Sequence, residues 1–423
     1  MEKFRITGAR RLTGEVRVSG AKNAALPCLA ATLLTPDPVT LSNLPRVRDI
    51  VTMEKVLAAL GESCIHADGR TTVVAGEGPS FHAPYELVRT MRASVLALGP
   101  LLARKRRARV ALPGGCAIGA RPVDLHLEGL TRLGADLKVV HGDVVAEAPH
   151  GLRGADVVFP RVTVTGTENL LMAAALAHGR TVLRNCAREP EVGDLARLLV
   201  AMGARIEGID GDTLTVDGVP ALHGAEHDVI PDRIEAGTYV VAALLAGDGV
   251  TVAGCAPQHL AGLVGVLDAA GARLEIRPDA IVVPPQPARL RAVPVVTAEF
   301  PGFATDLQAQ YMALMTQADG VCTITEAIFE NRFQHVLELK RLGARIEVAG
   351  NAALVHGPVG LDGTTVMASD LRASAALVLA GLVARGETVV DRIYHLDRGY
   401  EAMEVKLNAL GAAVERFNPG SYR

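Results

Sequence analysis

A glycine-rich loop around Cys116 is the first place where this sequence can do chemistry. The segment Pro113–Arg121 reads Pro-Gly-Gly-Cys-Ala-Ile-Gly-Ala-Arg, so three glycines surround one thiol and Arg121 follows five residues later. Glycines suit a loop that bends tightly or lets a ligand approach the backbone. A guanidinium and a nearby helix N-terminus lower the pKa of a thiol from its free value of about 8.5. The loop therefore predicts a cysteine that is used chemically.

Further charged residues stand where apolar helical stretches begin or in the loops between helices. They are Lys22 with Asn23, Arg92, Asp306, Arg372, the segment Glu330-Asn331-Arg332, and the segment Asp397-Arg398-Gly399. Helix N-termini expose free N–H groups and a partial positive charge. If these segments cluster, they predict a site for anions.

The bulk composition excludes several classes of protein. The chain has 423 residues, is 49% hydrophobic and carries a net charge of −3, so neither nucleic acid nor a membrane surface is an expected partner. Its six cysteines include no Cys-x-x-Cys pair and no Cys/His spacing typical of a metal site. We expect reduced thiols, no metal, no cofactor, no membrane insertion and a cytoplasmic location.

The chain repeats itself six times. Each repeat has a glycine after an apolar helical stretch, and the six are spaced 73, 69, 68, 72 and 68 residues apart: Gly61, Gly134, Gly203, Gly271, Gly343 and Gly411. Short alternating runs such as Arg205–Glu207 and Arg345–Glu347 follow most of them. This pattern predicts a helix that ends at a C-cap glycine and is followed by a strand.

A second landmark recurs in step with the first. Apolar helices begin near Lys22, Arg92, Glu168, Glu235, Asp306 and Arg372. They are apolar nearly all round, so each should be buried. Strands then follow, as at Val250–Val252, and outer amphipathic helices come next, as at Asp194–Met202. Six units predict an α/β protein of two similar globules, with a boundary at His227–Pro231.

Eight segments carry a resemblance to a known family. They are Ser19-Gly20-Ala21-Lys22-Asn23-Ala24-Ala25-Leu26-Pro27, Thr90-Met91-Arg92-Ala93-Ser94, the Cys116 loop through Leu125, Pro231-Asp232-Arg233-Ile234-Glu235, Thr305-Asp306-Leu307-Gln308-Ala309-Gln310, Phe329-Glu330-Asn331-Arg332-Phe333, Asp370-Leu371-Arg372-Ala373-Ser374 and Asp397-Arg398-Gly399-Tyr400-Glu401. In this order and spacing, the chain resembles the UDP-N-acetylglucosamine 1-carboxyvinyltransferase family of enolpyruvyl transferases from end to end.

The resemblance implies a fold and a reaction. The fold is a two-domain inside-out α/β barrel with three repeats per domain. One domain spans residues 22–229, residues 1–21 and 230–423 form the other, and the active site lies in the cleft between them. The implied reaction transfers an enolpyruvyl group from phosphoenolpyruvate to the 3′-hydroxyl of UDP-N-acetylglucosamine through a tetrahedral ketal. It opens peptidoglycan synthesis, and we expect a monomer.

The resemblance also implies roles for individual residues. Cys116 is the general acid and a site of covalent addition, Asp306 takes the hydroxyl proton, and Lys22 and Arg398 complete the catalytic set. Phosphoenolpyruvate is held by Lys22, Arg121 and Arg398, with Asn23 beside them and Arg332 and Arg372 as further candidates. The residues that line the nucleotide-sugar site are Arg92, Arg121, Pro122, Val123, Asp124, Leu125, Arg161, Val162, Thr163, Val164, Asp306 and Ile328. Arg161 departs from members that have Lys there, which changes the reach and geometry of the cation.

Simpler interpretations stand beside these. Asp306 can be a helix N-cap, Arg398 can pair with Asp397 or Glu401, and Glu330 and Asp370 can orient neighbouring arginines. The other cysteines fit small buried hydrophobes, and no histidine is assigned a role. Two other functions compete, namely an enolpyruvyl transferase acting on shikimate phosphate and a non-catalytic nucleotide-sugar-binding repeat protein. The Gly-Gly-Cys loop and the Ala-Lys-Asn-Ala-Ala opening argue against the first, and the retained cations argue against the second.

Overall fold

The computed structural model describes residues 2–76, 80–88, 91–112 and 123–421, and for Arg92 and Ser421 it describes the backbone alone. Its α-helices are α1 (Lys22–Ala31), α2 (Arg48–Ala59), α3 (Tyr85–Val88), α4 (Leu98–Lys105), α5 (Asp124–Arg132), α6 (Val164–Ala174), α7 (Pro190–Ala201), α8 (Arg233–Ala246), α9 (Ala261–Ala269), α10 (Gln308–Met315), α11 (His335–Arg341), α12 (Leu371–Val383) and α13 (Met403–Ala409). Among these helices, none combines the length and the apolar character needed to cross a membrane.

The described strands are β1 (Lys3–Thr7), β2 (Leu12–Arg17), β3 (Val39–Ser42), β4 (Glu62–Ala67), β5 (Arg70–Ala75), β6 (His82–Ala83), β7 (Arg107–Ala111), β8 (Asp136–Val140), β9 (Asp143–Glu147), β10 (Asp156–Val158), β11 (Arg180–Arg184), β12 (Arg205–Glu207), β13 (Thr213–Asp217), β14 (Glu226–Asp228), β15 (Gly247–Ala253), β16 (Glu275–Ile276), β17 (Ala280–Val283), β18 (Val295–Val296), β19 (Gly320–Thr325), β20 (Arg345–Ala349), β21 (Ala352–Gly357), β22 (Thr365–Met367), β23 (Glu387–Asp391) and β24 (Ala413–Phe417).

The chain divides into two compact units. We call the described residues from Gly20 to Ile230 the continuous unit, and those up to Ser19 together with those from Pro231 onward the split unit. Each unit has its own large apolar core. Three inner helical segments pack against one another in each: α1, α4 with the preceding 3-10 turn, and α6 in the continuous unit, and α8, α10 and α12 in the split unit.

The strands form six four-stranded sheets with one shared pattern. Each sheet pairs a parallel edge strand with the strand that follows an inner helix, and an antiparallel pair of strands completes it. The sheet β6-β7-β9-β8 shows the pattern within one repeat, since β6 is parallel to β7 and β8 and β9 form the hairpin. The sixfold repeat predicted from the sequence is therefore confirmed as six equivalent sheets.

Three strands come from distant parts of the chain. Strand β14 lies near the end of the continuous unit in the sequence, and it forms the parallel edge of the sheet that contains β3. In the split unit, β2 supplies the parallel edge beside β15, and β1 lies between β23 and β24. The split unit therefore takes two of its strands from the beginning of the chain.

The predicted glycine caps are confirmed. Gly61, Gly134, Gly203, Gly271, Gly343 and Gly411 all have a positive φ, between 90° and 102°. A residue in this left-handed region at a helix C-terminus is most easily glycine, because a side chain on Cβ is disfavoured there. The sequence spacing thus marks equivalent turns of the six repeats.

The predicted helix starts differ from the observed ones by a few residues. Helix α6 begins at Val164 rather than near Glu168, because the side chain of Thr163 accepts a hydrogen bond from the backbone N–H of Gly166 and caps it. Helix α8 begins at Arg233, capped by Asp232, rather than near Glu235. Asp306 lies within a 3-10 turn, Thr305–Leu307, that precedes α10.

A buried carboxylate anchors Ser19, the last residue of the split unit before the chain enters the continuous unit. Ser19 N donates to Glu235 Oε2 at 2.7 Å, and Lys406 Nζ donates to Glu235 Oε1 at 2.6 Å. Burial raises the pKa of Glu235 to about 7, although the Lys406 ammonium acts in the opposite direction. Asp232 N also donates to Ser19 O, so the start of α8 and the end of the first segment are tied together.

Candidate functional site

In the split unit the structure brings Asp306, Arg332 and Arg372 together. Arg332 Nη2 donates to Asp306 Oδ1 at 2.6 Å, and Arg372 Nε donates to Asp306 Oδ2 at 3.0 Å. The two arginine side chains are 5% and 4% exposed, whereas the Asp306 side chain is 27% exposed. One carboxylate therefore lies between two buried guanidinium groups, and part of its surface still faces solvent.

Neighbouring side chains fix the two guanidinium groups. Arg332 Nη1 donates to Thr305 Oγ1 at 2.9 Å, and its guanidinium carbon lies 5.1 Å from the centre of the Phe329 ring. The Arg372 guanidinium carbon lies 5.4 Å from the centre of the Tyr400 ring. Stacking on an aromatic face suits the planar guanidinium and restricts where it can point.

The protonation of Arg372 is settled by opposing effects. Burial lowers its pKa, but Asp306, Tyr400 and Asp232 together raise the pKa by more, so the net pKa lies above the usual value and Arg372 stays charged. Its Nη1 atom is buried and has no hydrogen-bond partner among the residues that the structure describes. A buried N–H of a cation without an acceptor costs free energy that an anionic ligand can recover.

Glu326 forms a second support that the sequence did not reveal. It is buried, and its Oε1 accepts hydrogen bonds from Thr297 Oγ1 and from the backbone N–H groups of Ile328 and Phe329. Its Oε2 accepts from Thr305 Oγ1 at 2.8 Å. Glu326 therefore fixes both the loop that carries Ile328 and the threonine that contacts Arg332.

His335 lies at the start of α11, close to Arg332, and is fully buried. Burial lowers its pKa to about 4, and the Arg332 charge acts in the same direction while Asp370 opposes both. The ring is therefore neutral near pH 7. Asp370 itself caps α12 by accepting from the backbone N–H groups of Arg372 and Ala373, so it positions Arg372 through the backbone.

Arg398 ends a 3-10 turn, Ile393–Arg398, and is half-buried. Asp397 and Glu401, the two acids predicted as possible surface partners of Arg398, also form hydrogen bonds with other residues. Asp397 accepts from Arg416 Nη2 at 2.7 Å, and Glu401 accepts from the Ser19 hydroxyl at 2.8 Å.

In the continuous unit, Lys22 is the first residue of α1 and is buried. Its Nζ donates to Asp49 Oδ2 at 3.2 Å, and Asp49 is also buried. Asn23 follows it and is half-buried. Asp49 lies in the first turn of α2. It is 27 residues from Lys22 in the sequence, and no local sequence pattern predicts that the two pair.

Two predicted nucleotide-sugar segments also lie together in this unit. Arg161 Nη2 lies 3.6 Å from Asp124 Oδ1, with both side chains more than half exposed. Val123 precedes α5, Leu125 is buried within it, and Val162, Thr163 and Val164 lead into α6. Arg92 begins a 3-10 turn, Arg92–Ala97, whereas Cys116, Arg121 and Pro122 lie outside the described residues.

One group of three possible metal ligands also occurs among the described residues, formed by Cys28, Asp194 and His227. Asp194 Oδ1 lies 2.9 Å from His227 Nε2, and the Cys28 thiol donates to Asp194 Oδ2 at 3.8 Å. Burial, and after it the Asp194 charge, raise the pKa of Cys28 well above the usual value. The three groups thus satisfy one another around a thiol that stays protonated.

Comparisons with known proteins extend over nearly the whole chain. A family model described as EPSP synthase (3-phosphoshikimate 1-carboxyvinyltransferase) matches residues 6–407. A UDP-N-acetylglucosamine 1-carboxyvinyltransferase of Solibacter usitatus is 57% identical over 417 residues, which is 98% of this chain and 100% of that protein. The protein of the same description from Koribacter versatilis is 54% identical over 98% of this chain and 96% of its own length.

Solved structures give the same architecture. The enolpyruvyl transferase NikO from Streptomyces tendae superposes with a TM-score of 0.89 at 28% identity, covering 98% of this chain and 99% of NikO. EPSP synthase from Acinetobacter baumannii superposes with a TM-score of 0.77 at 17% identity, covering 99% of this chain and 100% of that protein, a likeness of fold alone. The enolpyruvyl transferase fold predicted from the sequence is confirmed.

Proposed function

This chain belongs to the UDP-N-acetylglucosamine 1-carboxyvinyltransferase family of enolpyruvyl transferases, and on that premise we propose that it catalyses the reaction in the family name. The enolpyruvyl group of phosphoenolpyruvate is transferred to the 3′-hydroxyl of UDP-N-acetylglucosamine, and phosphate is released. The carrying observation is 57% identity along the full length of a relative of that name. The product enters peptidoglycan synthesis, and we place the enzyme in the cytoplasm as a monomer.

The proposed route is addition followed by elimination. The sugar oxygen bonds to C2 of phosphoenolpyruvate as its hydroxyl proton leaves to a base, and C3 gains a proton from an acid. The tetrahedral ketal then loses a proton from C3, the bond from C2 to the phosphate oxygen breaks, and phosphate departs. We assign the acid to Cys116 by resemblance. Its position beside Arg121 in the sequence favours a thiol that gives up its proton readily.

We assign the base to Asp306. A general base must be ionised before it accepts a proton, and the neighbouring Arg332 and Arg372 charges favour the ionised carboxylate. Because each oxygen is directed by one guanidinium, the carboxylate has a fixed orientation. The exposed part of Asp306, 27% of the side chain, lets a hydroxyl group reach it.

Both substrates are polyanions, so the proposal needs several fixed cations. Lys22, Arg121 and Arg398, with Asn23 beside them, are assigned to phosphoenolpyruvate. Arg372 is a further candidate, since its buried Nη1 atom lacks an acceptor in the part of the chain that the structure describes. The segments around Arg92, Asp124, Arg161 and Ile328 are assigned to the nucleotide sugar.

An assay with two acceptors tests the reaction. The purified protein is incubated with phosphoenolpyruvate and either UDP-N-acetylglucosamine or shikimate 3-phosphate, and phosphate release and product mass are measured. We expect turnover with the UDP-sugar alone. Turnover with shikimate 3-phosphate and none with the UDP-sugar would establish the competing activity. No turnover with either acceptor, with UDP-sugar binding retained, would favour the non-catalytic alternative.

A labelling experiment tests the role of Cys116. A small phosphonate epoxide that mimics phosphoenolpyruvate should modify Cys116 first, because the other cysteines are buried or half-buried thiols. Peptide mass mapping after brief exposure identifies the site. First modification at Cys64, the least buried of the described cysteines, would contradict the assignment. The Cys116→Ser variant should lose both turnover and any thiol-linked pyruvate adduct, and unchanged turnover would remove Cys116 as the acid.

A further inference from the structure

A polar node in the continuous unit, buried at two of its three residues, joins three segments that the sequence analysis assigned to the nucleotide sugar. We call the side chains of His126, Thr165 and Asn169 the 126–169 node. His126 Nδ1 lies 2.9 Å from Asn169 Nδ2, and His126 Nε2 lies 3.2 Å from Thr165 Oγ1. His126 is 4% exposed and Asn169 is fully buried. Such a node must be well paired, because an unpaired buried polar group is costly.

Asn169 extends the node to the segment that follows Arg92. Its Oδ1 accepts from Gly99 N at 2.7 Å, and its Nδ2 donates to Val95 O at 3.0 Å. The approach is close enough to require glycine, since a Cβ on Gly99 would lie 2.4 Å from both Asn169 O and Oδ1. The 3-10 turn Arg92–Ala97 and the start of α4 are therefore tied to α6.

The hydrogen bonds determine how each group in the node is oriented. Gly99 N is a donor, so it must face the oxygen of the Asn169 amide, and the NH₂ group faces Val95 and His126. His126 Nδ1 then accepts a hydrogen bond, and the proton of the neutral ring lies on Nε2, where it is donated to Thr165. Protonation of Nδ1 would bring two donors face to face. The described contacts of the node therefore require Nδ1 as an acceptor.

Every element joined by the node carries residues assigned to the nucleotide sugar. His126 lies two residues after Asp124 in α5, and Thr165 lies in the first turn of α6, four residues after Arg161. The ion pair between Asp124 and Arg161 does not anchor these segments, because both side chains are more than half exposed and such pairs contribute little. The buried hydrogen bonds of Asn169 with His126, Val95 and Gly99 tie these segments to one another.

We propose that His126 and Asn169 are positioning residues for UDP-N-acetylglucosamine, acting through the segments around Arg92, Asp124 and Arg161. This inference rests on the proposed function and identifies which of its two substrates the node serves. The node lies entirely in the continuous unit and touches neither Lys22 nor Asp306 in any described contact. Disruption of the node should therefore weaken the binding of the UDP-sugar and leave the binding of phosphoenolpyruvate unchanged.

Two substitutions at one position separate the two contacts of the ring. His126→Asn keeps an acceptor near the place of Nδ1, so the contact with Asn169 and hence with the Arg92 segment survives. His126→Gln places its amide near the position of Nε2 and keeps the contact with Thr165. It leaves one of the two N–H groups of the Asn169 amide without an acceptor, while the other still donates to Val95 O. Asn169→Leu removes both contacts of that side chain with Val95 and Gly99. His150→Asn, at an exposed position in the same unit, is the matched control.

Steady-state kinetics and calorimetric titration with UDP-N-acetylglucosamine alone give the readout. For His126→Gln we expect KM and Kd for the UDP-sugar to rise about fivefold to a hundredfold, the range for one buried hydrogen bond. The KM for phosphoenolpyruvate should change less than about twofold. His126→Asn should recover most of the loss, and the control should match the unaltered protein.

The outcomes separate this inference from the proposed function. An unaltered protein that does not turn over the UDP-sugar refutes both. An active protein in which His126→Gln raises both KM values in parallel, or neither, leaves the reaction intact and overturns the positioning role. If Asn169→Leu does not fold, the two His126 variants still decide, and their melting temperatures are measured to verify that they are folded.

Discussion

The two units share one three-repeat architecture but differ in the polar groups at their centres. In the continuous unit the 126–169 node pairs an imidazole, an amide and a hydroxyl group with one another. In the split unit the inner helices enclose a Thr238–Gln310–Tyr400 cluster, with Tyr400 Oη 2.9 Å from Thr238 Oγ1 and 3.1 Å from Gln310 Nε2. That cluster lies beneath Arg372, which binds the Asp306 carboxylate.

The difference shows how a repeated scaffold takes on unlike tasks. Neutral, mutually satisfied groups hold segments in place at little electrostatic cost. Buried charges cost desolvation free energy and remain only where partners offset it, as Asp306 does for Arg372. The 126–169 node is therefore suited to positioning, whereas the cluster of Asp306, Arg332 and Arg372 is suited to charge and proton transfer.

The largest effect should come from the charged centre. Asp306→Ala removes the proposed base, so kcat should fall about 10²–10⁴-fold, the usual contribution of general-base catalysis. Binding of UDP-N-acetylglucosamine, measured by calorimetry, should change much less. Asp268→Asn, at an exposed position of the same unit, is the control. Near-normal turnover of Asp306→Ala would remove the contrast between the two centres.

A second test uses pH to compare Glu235 with a neutral replacement. Glu235 has a pKa of about 7 when folded and 4.5 when exposed, so between these values the native state retains a proton that the unfolded chain loses. Stability present below about pH 4.5 is therefore lost as the pH rises to about 7. The unfolding free energy of the unaltered protein should fall relative to Glu235→Gln by on the order of 3 kcal/mol. Parallel denaturation curves across this range would contradict the buried, proton-retaining carboxyl group.

A third test dissects Tyr400. Tyr400→Phe removes the hydroxyl that pairs with Thr238 and Gln310 but keeps the ring against Arg372, so we expect a loss of about 1–2 kcal/mol in stability and a small change in kcat. Tyr400→Leu also removes the ring 5.4 Å from the Arg372 guanidinium. Its kcat should fall further. Equal turnover in the two variants would show that the ring does not position Arg372.

The smallest effect is expected at Gln308, two residues from Gln310 on the same helix. Both polar atoms of the Gln308 side chain are buried, and neither has a partner among the residues described. Gln308→Met should leave the unfolding free energy within about 0.5 kcal/mol or raise it, because no hydrogen bond is lost. Gln310→Met, which loses bonds to Thr238 and Tyr400, should cost about 1–2 kcal/mol. A larger loss at Gln308 than at Gln310 would reverse the expected order.

The sequence predicted the repeated architecture because each repeat ends a helix with a glycine that local sterics require. It misplaced helix starts where the capping residue lies upstream of the apolar run, as Thr163 and Asp232 do. Contacts between residues far apart in the chain could not be predicted from the sequence. One example is the contact of Arg372 with Asp306, which are 66 residues apart. Nothing in the sequence pointed to the node, since Asn169 follows polar residues in α6 and no pattern around His126 identified its partner.

The crossed strands also have a consequence for how the protein is made. During synthesis, β1 and β2 leave the ribosome before the strands with which they pair. Strand β2 can pair only after β15 has been made, and β1 can pair only after β23 and β24 have been made. Roughly 230 residues separate Arg17 from Gly247, which at typical synthesis rates corresponds to on the order of 10–50 s. The continuous unit can complete its fold in that interval. The nascent chain meanwhile carries two unpaired strands, which are the natural binding targets for chaperones and the segments most exposed to aggregation.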